Sequence, residues 1–247
     1  MRQDIIAIVC PDIHGRGFWK EVAKDYDGSV PFIFLGDYLD PYDKEGLIPD
    51  EVTSNFEEIW EFAQTWGDNV IMLLGNHDLS YYDRFFRCCR YAWAYAWYHE
   101  FLRKNWDRFK IAHQIKNRNT TFLFTHAGVH PQWLEWNDFE MNWDAEYIND
   151  LFKMRDKTFN DRGPYRGGRP WIFGSPVWAD IREFKEFIEY KDPGIALPRN
   201  VKQIVGHTQL REGMLDLGDI CCIDSRQAFV ITKDNKIEPY EKEKTSE

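Results

Sequence analysis

Phe34-Leu35-Gly36-Asp37-Tyr38-Leu39-Asp40 is the stretch that decides how this chain is read. The apolar run at 30–35 predicts a buried strand, and Gly36 ends it. Two carboxylates, Asp37 and Asp40, then follow where strand gives way to loop. In open α/β sheets that carboxyl end of a strand is where ligands bind. Four other segments carry residue types that ligate metals: Asp12-Ile13-His14-Gly15, Gly75-Asn76-His77-Asp78, Thr125-His126-Ala127-Gly128 and Gly206-His207-Thr208. Three of them follow a clear apolar, β-like run, and the last follows the shorter Gln203-Ile204-Val205. The five segments read as one site with Asp37 at its centre.

Outward from that site the chain alternates. Strands are expected at 5–10, 30–35 and 70–74, with helices at 18–25 and 50–66 between them. In the second helix Val52, Phe56, Ile59, Trp60, Ala63 and Trp66 fall at helical spacing, and Gly67 stops it. Such alternation argues an α/β domain. Residues 81–106 are dense in aromatics and are expected to be helical, with Arg84, Arg87, Arg90, Glu100, Arg103 and Lys104 keeping the segment out of a membrane. Their aromatics either pack the helix against the body or stack on a substrate base; packing is the ordinary fate of large aromatics. Further on, 110–116 and 120–125 suggest a hairpin, 133–159 a helix, 160–170 a loop, and 180–190 a short charged helix. Short strands are expected at 201–205, 214–217, 220–223 and 228–232, and a frayed tail from Glu238. No internal repeat, linker or domain boundary is visible, so 1–247 reads as one domain, with 133–176 a candidate cap.

Composition narrows the function. A chain of 247 residues is long enough for a sizeable core. Its formal net charge of -10 disfavours a protein whose main work is gripping nucleic-acid backbones. It leaves room for a small phosphorylated substrate, since bound cations reverse the local field. The cysteines, Cys10, the pair Cys88-Cys89 and the pair Cys221-Cys222, match no zinc motif or disulfide framework, so reduced thiols and a cytoplasmic location are expected. No signal peptide or membrane-spanning run is apparent.

A site for two metal ions needs several N or O ligands on each ion, and one carboxylate can bridge the pair because it has two oxygens. Asp12, His14, Asp37, Asn76, His126 and His207 supply that mixture. Imidazole and carboxylate without thiolate suit Mn or Fe, with Zn an option, and argue against a structural zinc. Asn76 offers a neutral carbonyl oxygen, which ligates without adding charge. Each segment alone is a weak signal: an isolated histidine at a strand end is more often an ordinary satisfied side chain. It is the conjunction of five that carries the reading.

Together the segments resemble the signature of the calcineurin-like metallophosphoesterases. Within them they look most like the branch of serine/threonine protein phosphatases and symmetrical diadenosine-tetraphosphate hydrolases. The resemblance spans Asp12 to His207. It implies two packed mixed β-sheets flanked by helices, an α/β/β/α sandwich with a dinuclear centre on loops at the sheet edges. It implies that Asp12, His14 and Asp37 hold one ion while Asp37, Asn76, His126 and His207 hold the other. His77 is then the proton donor to the leaving group, oriented by Asp40. The run His126-Ala127-Gly128-Val129-His130-Pro131-Gln132-Trp133 is closest to the diadenosine-tetraphosphate hydrolases.

One position departs from that pattern. The branch follows the aspartate matching Asp40 with a phosphate-gripping arginine, and here the residue is Pro41. A planar bidentate donor is therefore missing from its expected place. Also, Asp78 stands where the eukaryotic protein phosphatases usually carry Glu. Arg155, Arg162, Arg166 and Arg169 cluster in an otherwise acidic chain and are the candidate replacements, with Arg182 another; the alternative is a solvated basic loop. The expected reaction is hydrolysis of a phosphomonoester by hydroxide held between the ions. The rivals are hydrolysis of a dinucleoside polyphosphate and a catalytically silent binding module, which the full ligand set argues against.

Overall fold

β1 (Ile5–Cys10), β2 (Phe32–Phe34) and β3 (Val70–Leu73) run parallel, side by side, and set the site. Their residues alternate between two apolar environments. Ala7, Val9, Ile33, Leu35, Ile71 and Leu73 face a second sheet, while Ile8, Cys10, Phe32, Phe34, Val70 and Met72 face helices. Strands covered on both faces are apolar throughout, as parallel strands in α/β proteins are. The computed structural model describes residues 3–88, 90–190 and 197–241.

Among the described residues the first sheet has six strands in the order β11-β10-β1-β2-β3-β4, with β4 at Phe109–Lys110, β10 at Phe229–Thr232 and β11 at Ile237–Pro239. The second has five, in the order β5-β6-β7-β9-β8: β5 is Ala112–Asn117, β6 Thr120–Thr125, β7 Val201–Val205, β8 Leu215–Asp216 and β9 Ile220–Cys222. Parallel and antiparallel pairs occur in both. Phe122, Phe124, Ile204 and Ile223 meet the first sheet between the layers. Outside the first sheet lie α1 (Trp19–Ala23) and α2 (Pro49–Trp66), whose Val52, Phe56, Ile59 and Ala63 are buried. α7 (Ile181–Tyr190) covers the far face of the second sheet through Ile181 and Phe184. The layers are therefore helix, sheet, sheet, helix.

Three expectations are corrected. The aromatic stretch is not one helix. α3 (Asn76–Tyr82) ends at Asp83, whose carboxylate accepts the Phe85 N–H, and α4 (Ala92–Lys104) begins afresh. That local hydrogen bond competes with helix continuation, and Tyr91 N–H goes to Asp40 Oδ1 instead. Residues 133–159 likewise split into α5 (Pro131–Trp136) and α6 (Ala145–Arg155), the latter capped by Asp144. The tail from Glu238 is not frayed up to residue 241: β11 pairs with β10, and Tyr240 donates to Asp25 at 2.8 Å. The rest of that tail lies outside the described residues, as does Cys89.

Candidate metal centre

Each of the five segments leaves the carboxyl end of a strand: β1 delivers Asp12 and His14, β2 Asp37 and Asp40, β3 Asn76 and His77, β6 His126 and β7 His207. The turns are tight. His14, Asp37, Asp40 and His207 have φ of 46°, 53°, 60° and 62°, a region that costs a side-chain-bearing residue energy and collects at functional sites. Backbones also approach closely. A Cβ on Gly75 would stand 2.0 Å from Asp37 Oδ1, and one on Gly36, where φ is 105°, would stand 2.3 Å from the Gly75 nitrogen.

Two groups of side chains converge. Asp12, Asp37, His126 and His207 present ligand atoms all within 4.8 Å of one another, and so do His14, Asp37 and His77. Asp37 belongs to both. Its Oδ2 lies 3.6 Å from His14 Nε2 and 3.4 Å from His126 Nε2, while Oδ1 accepts the His77 N–H at 2.9 Å. One oxygen of Asp37 thus faces both groups, and the other accepts a backbone N–H. Asp12 stands between the groups, with Oδ2 3.8 Å from His14 Nε2 and Oδ1 accepting the His207 N–H at 2.8 Å.

The donor set fits cations. Leu35 O takes the His126 Nδ1–H at 2.9 Å, which leaves Nε2 with its lone pair. That lone pair lies 3.0 Å from the Asn76 carbonyl oxygen and 3.0 Å from His207 Nδ1. N and O donors about 2.0–2.2 Å from one shared ion would stand about 3–3.5 Å apart. Leu39 O orients the His14 ring in the same way through Nδ1, at 3.0 Å. Such backbone partners fix ring orientation and basicity. Burial pushes His14 and His207 well below the ordinary imidazole value and His126 below it, so all three are neutral and ready to ligate. Burial, aided by the charges of Asp12 and Asp78, pushes the Asp37 carboxyl well above the usual carboxylate range, with His77 offsetting it in part. A cation between these groups relieves that crowding.

His77 differs. Its Nδ1 pairs with Asp40 Oδ2 at 2.9 Å, and Asp40 Oδ1 accepts from Tyr81 Oη and the Tyr91 N–H. Burial lowers His77, but the Asp37 charge and the hydrogen bond with Asp40 outweigh it and hold the imidazole well above its ordinary range.

A cleft of about 490 Å³ opens over these residues, and its wall includes Tyr42, Arg87, Cys88, Arg162, Arg166 and Trp178. Of the candidate arginines, Arg162 stacks 3.7 Å over the Trp178 ring, and Arg166 ion-pairs with Asp180 at 2.9 Å while donating to His207 O. Arg169 is exposed and off the cleft wall. Arg182 is also off it, and donates to Asp180 through Nε and Nη2 at 2.7 and 2.9 Å. The aromatics of 81–106 also stay away: Tyr81 and Tyr98 are buried, and Tyr82 stacks on Trp106. Trp133 is fully buried. Arg87, Cys88, Tyr42 and Trp178 lie on the wall without having been singled out from sequence, since nothing in their local pattern carries ligand chemistry. Among the described residues no helix is long and apolar enough to cross a membrane.

Comparison with known proteins points to a family. The family described as calcineurin-like phosphoesterase matches residues 7–209, which include every residue of the two groups. No curated protein matches. Among solved structures, a cold-active protein tyrosine phosphatase superposes with a TM-score of 0.60 at 14% identity, covering 97% of this chain and 79% of that one. The cold-active protein-tyrosine phosphatase of a psychrophilic Shewanella species gives 0.59 at 14% identity, covering 96% and 81%. At that identity the likeness speaks for the fold. With the match running through all five loops, this chain belongs to the calcineurin-like phosphoesterase family, the dinuclear metal-dependent phosphoesterases.

Proposed function

We propose that this chain is a phosphatase that hydrolyses phosphomonoesters in the manner of the serine/threonine protein phosphatases, as one domain whose 133–176 segment caps the cleft. The observation that carries the reading is the single oxygen Asp37 Oδ2, within 3.6 Å of the His14 ring and 3.4 Å of the His126 ring. One ion would rest on Asp12, His14 and Asp37, the other on Asp37, Asn76, His126 and His207. Manganese or iron suits these ligands, with zinc an option. When bound, the two ions acidify a water and neutralise the phosphoryl oxygens.

The chain's own residues do the rest. Asp40 holds His77 by Nδ1 at 2.9 Å, leaving Nε2 to protonate the departing oxygen. Arg162 and Arg166, on the wall of the cleft, take the place of the arginine missing at Pro41 and hold the substrate phosphate. The substrate is a phosphorylated protein or small molecule, since the net charge of -10 suits neither nucleic acid nor an anionic membrane surface. Free cysteines fit a cytoplasmic setting.

A second reading, an aryl phosphate such as phosphotyrosine, is favoured by Tyr42. This ring is 39% exposed at the cleft and lies 5.0 Å from the His14 ring, placed to stack on an aromatic leaving group. Hydrolysis of dinucleoside polyphosphates has less support, because the aromatics proposed to hold a base are packed in the body. Assay of manganese-loaded protein on phosphoserine peptide, phosphotyrosine peptide, diadenosine tetraphosphate and a chromogenic diester tests the set. Turnover of a phosphopeptide at least tenfold faster than of the tetraphosphate is expected. The reverse order would overturn the phosphomonoester reading.

A further inference from the structure

Asn76 is a ligand only if its amide faces the right way. The two ends of the group are nearly the same shape, but the oxygen can hold a cation and the nitrogen cannot. What decides the orientation is the partner found by the nitrogen. Here Nδ2 donates to the Cys88 sulfur at 3.1 Å, which turns Oδ1 toward His126 Nε2 at 3.0 Å. Without that acceptor the opposite flip becomes favourable. The Nδ2–H would donate to the His126 Nε2 lone pair, and Asn76 would block the ion it is meant to hold.

Cys88 is set up for this task. It lies in the break between α3 and α4, on the cleft wall, and is half-buried, whereas Cys10, Cys221 and Cys222 are buried. The break is pinned on both sides of it. Phe86 is 1% exposed in the core, Arg90 donates to Ser80 O at 2.7 Å, and Tyr91 N–H goes to Asp40 Oδ1 at 3.0 Å. One sulfur therefore holds the candidate metal ligand Asn76, and its segment touches Asp40, the partner of the candidate acid.

We propose that Cys88 is a positioning residue that fixes the Asn76 amide with its carbonyl oxygen toward the metal, and so sets the affinity for one ion of the pair. This rests on the dinuclear reading above. The test is calorimetric titration of chelator-stripped protein with Mn²⁺ alone, comparing wild type, Cys88→Val and Cys88→Ser. Valine keeps the volume and removes the acceptor; serine keeps an acceptor. Cys88→Val is expected to weaken one of the two binding events by about 10–100-fold, the usual effect of losing the partner that orients a ligand. Cys88→Ser is expected to stay within about threefold of wild type on the same ground. A Cys88→Val protein that titrates like wild type, or a Cys88→Ser protein that fails equally, would overturn the proposal while leaving the dinuclear centre standing. Wild type that takes up no manganese would overturn both.

Discussion

The Asp78 carboxylate accepts the backbone N–H of Asp37 at 2.7 Å, so the residue after His77 aims the carboxylate that both halves of the centre share. The same group accepts the N–H of Gly75 at 2.8 Å, that of Tyr38 at 3.2 Å and the Tyr98 hydroxyl at 3.0 Å. Asp78 is fully buried, and burial raises its carboxyl to about 6 against the pull of those donors. An amide in its place has one acceptor oxygen and turns an N–H toward donors. Asp78→Asn is expected to destabilise the fold by about 1–3 kcal/mol through buried donors left unmet. It is also expected to weaken metal binding about tenfold or more by loosening Asp37. Denaturant unfolding and a metal titration check the two effects. A variant with wild-type metal affinity would show that Asp37 is held without Asp78.

His77 tests the chemistry. His77→Ala or His77→Asn is expected to retain both ions and lose about 10²–10⁴ in turnover, the usual worth of a positioned acid. The penalty is expected to shrink for a nitrophenyl ester, whose leaving group needs little protonation. Asp40→Asn is expected to show the same pattern more mildly. Loss of a metal from His77→Ala, or an equal penalty for good and poor leaving groups, would show that His77 is not the acid.

What was legible in the sequence follows from physics. Metal ligands come from few residue types, and a strand that ends in glycine and a carboxylate announces itself, so Asp12, Asp37, His126 and His207 stand out. The α/β alternation is legible because its inner strands are apolar on both faces, whereas the two-sheet sandwich followed only from the family resemblance of the five segments. The break at 83–91 is not, because it is set by Tyr91 reaching Asp40 from 51 positions away along the chain. Asp78 reads locally as an ordinary helix-start acid, and only the fold shows it holding a neighbouring loop. β11 is hidden for a similar reason: Ile237–Pro239 is short and polar, and pairing with β10 makes it a strand. The arginines were grouped by closeness in sequence, but the fold sends Arg162 and Arg166 to the cleft wall and turns Arg169 to solvent.

His130 gives a pH dependence outside the metal centre. The ring is fully buried against Phe173, Phe184 and Phe187, caps α5 by accepting the Gln132 N–H, and is pushed by burial down to about 3. Above about 6.5 the imidazole is neutral in the folded and unfolded chain alike. Below that value the unfolded chain takes up a proton that the folded one refuses. Stability from this group is therefore present above 6.5 and is lost as pH falls, by about 1.4 kcal/mol per unit. His130→Asn keeps a capping oxygen and cannot titrate. Its stability relative to wild type is expected to rise steadily from pH 6.5 to 4.5 in urea unfolding; a constant difference would contradict the account.

Arg162 tests the proposed clamp. Its guanidinium lies 3.7 Å over the Trp178 ring on the cleft wall. Arg162→Met keeps the stacking length and removes the charge. It is expected to raise KM for a phosphomonoester about tenfold, the scale of one charge-assisted hydrogen bond, with metal content unchanged. An unchanged KM would assign the phosphate contact to Arg166 or Arg87.

The central claim is that two ions share Asp37. Elemental analysis of the active, desalted protein, side by side with Asp37→Asn, tests it most directly. Two metal ions per chain are expected in wild type, with metal content and hydrolysis both nearly abolished in Asp37→Asn. Full activity with no more than one ion per chain, or an Asp37→Asn protein that keeps both ions, would contradict it.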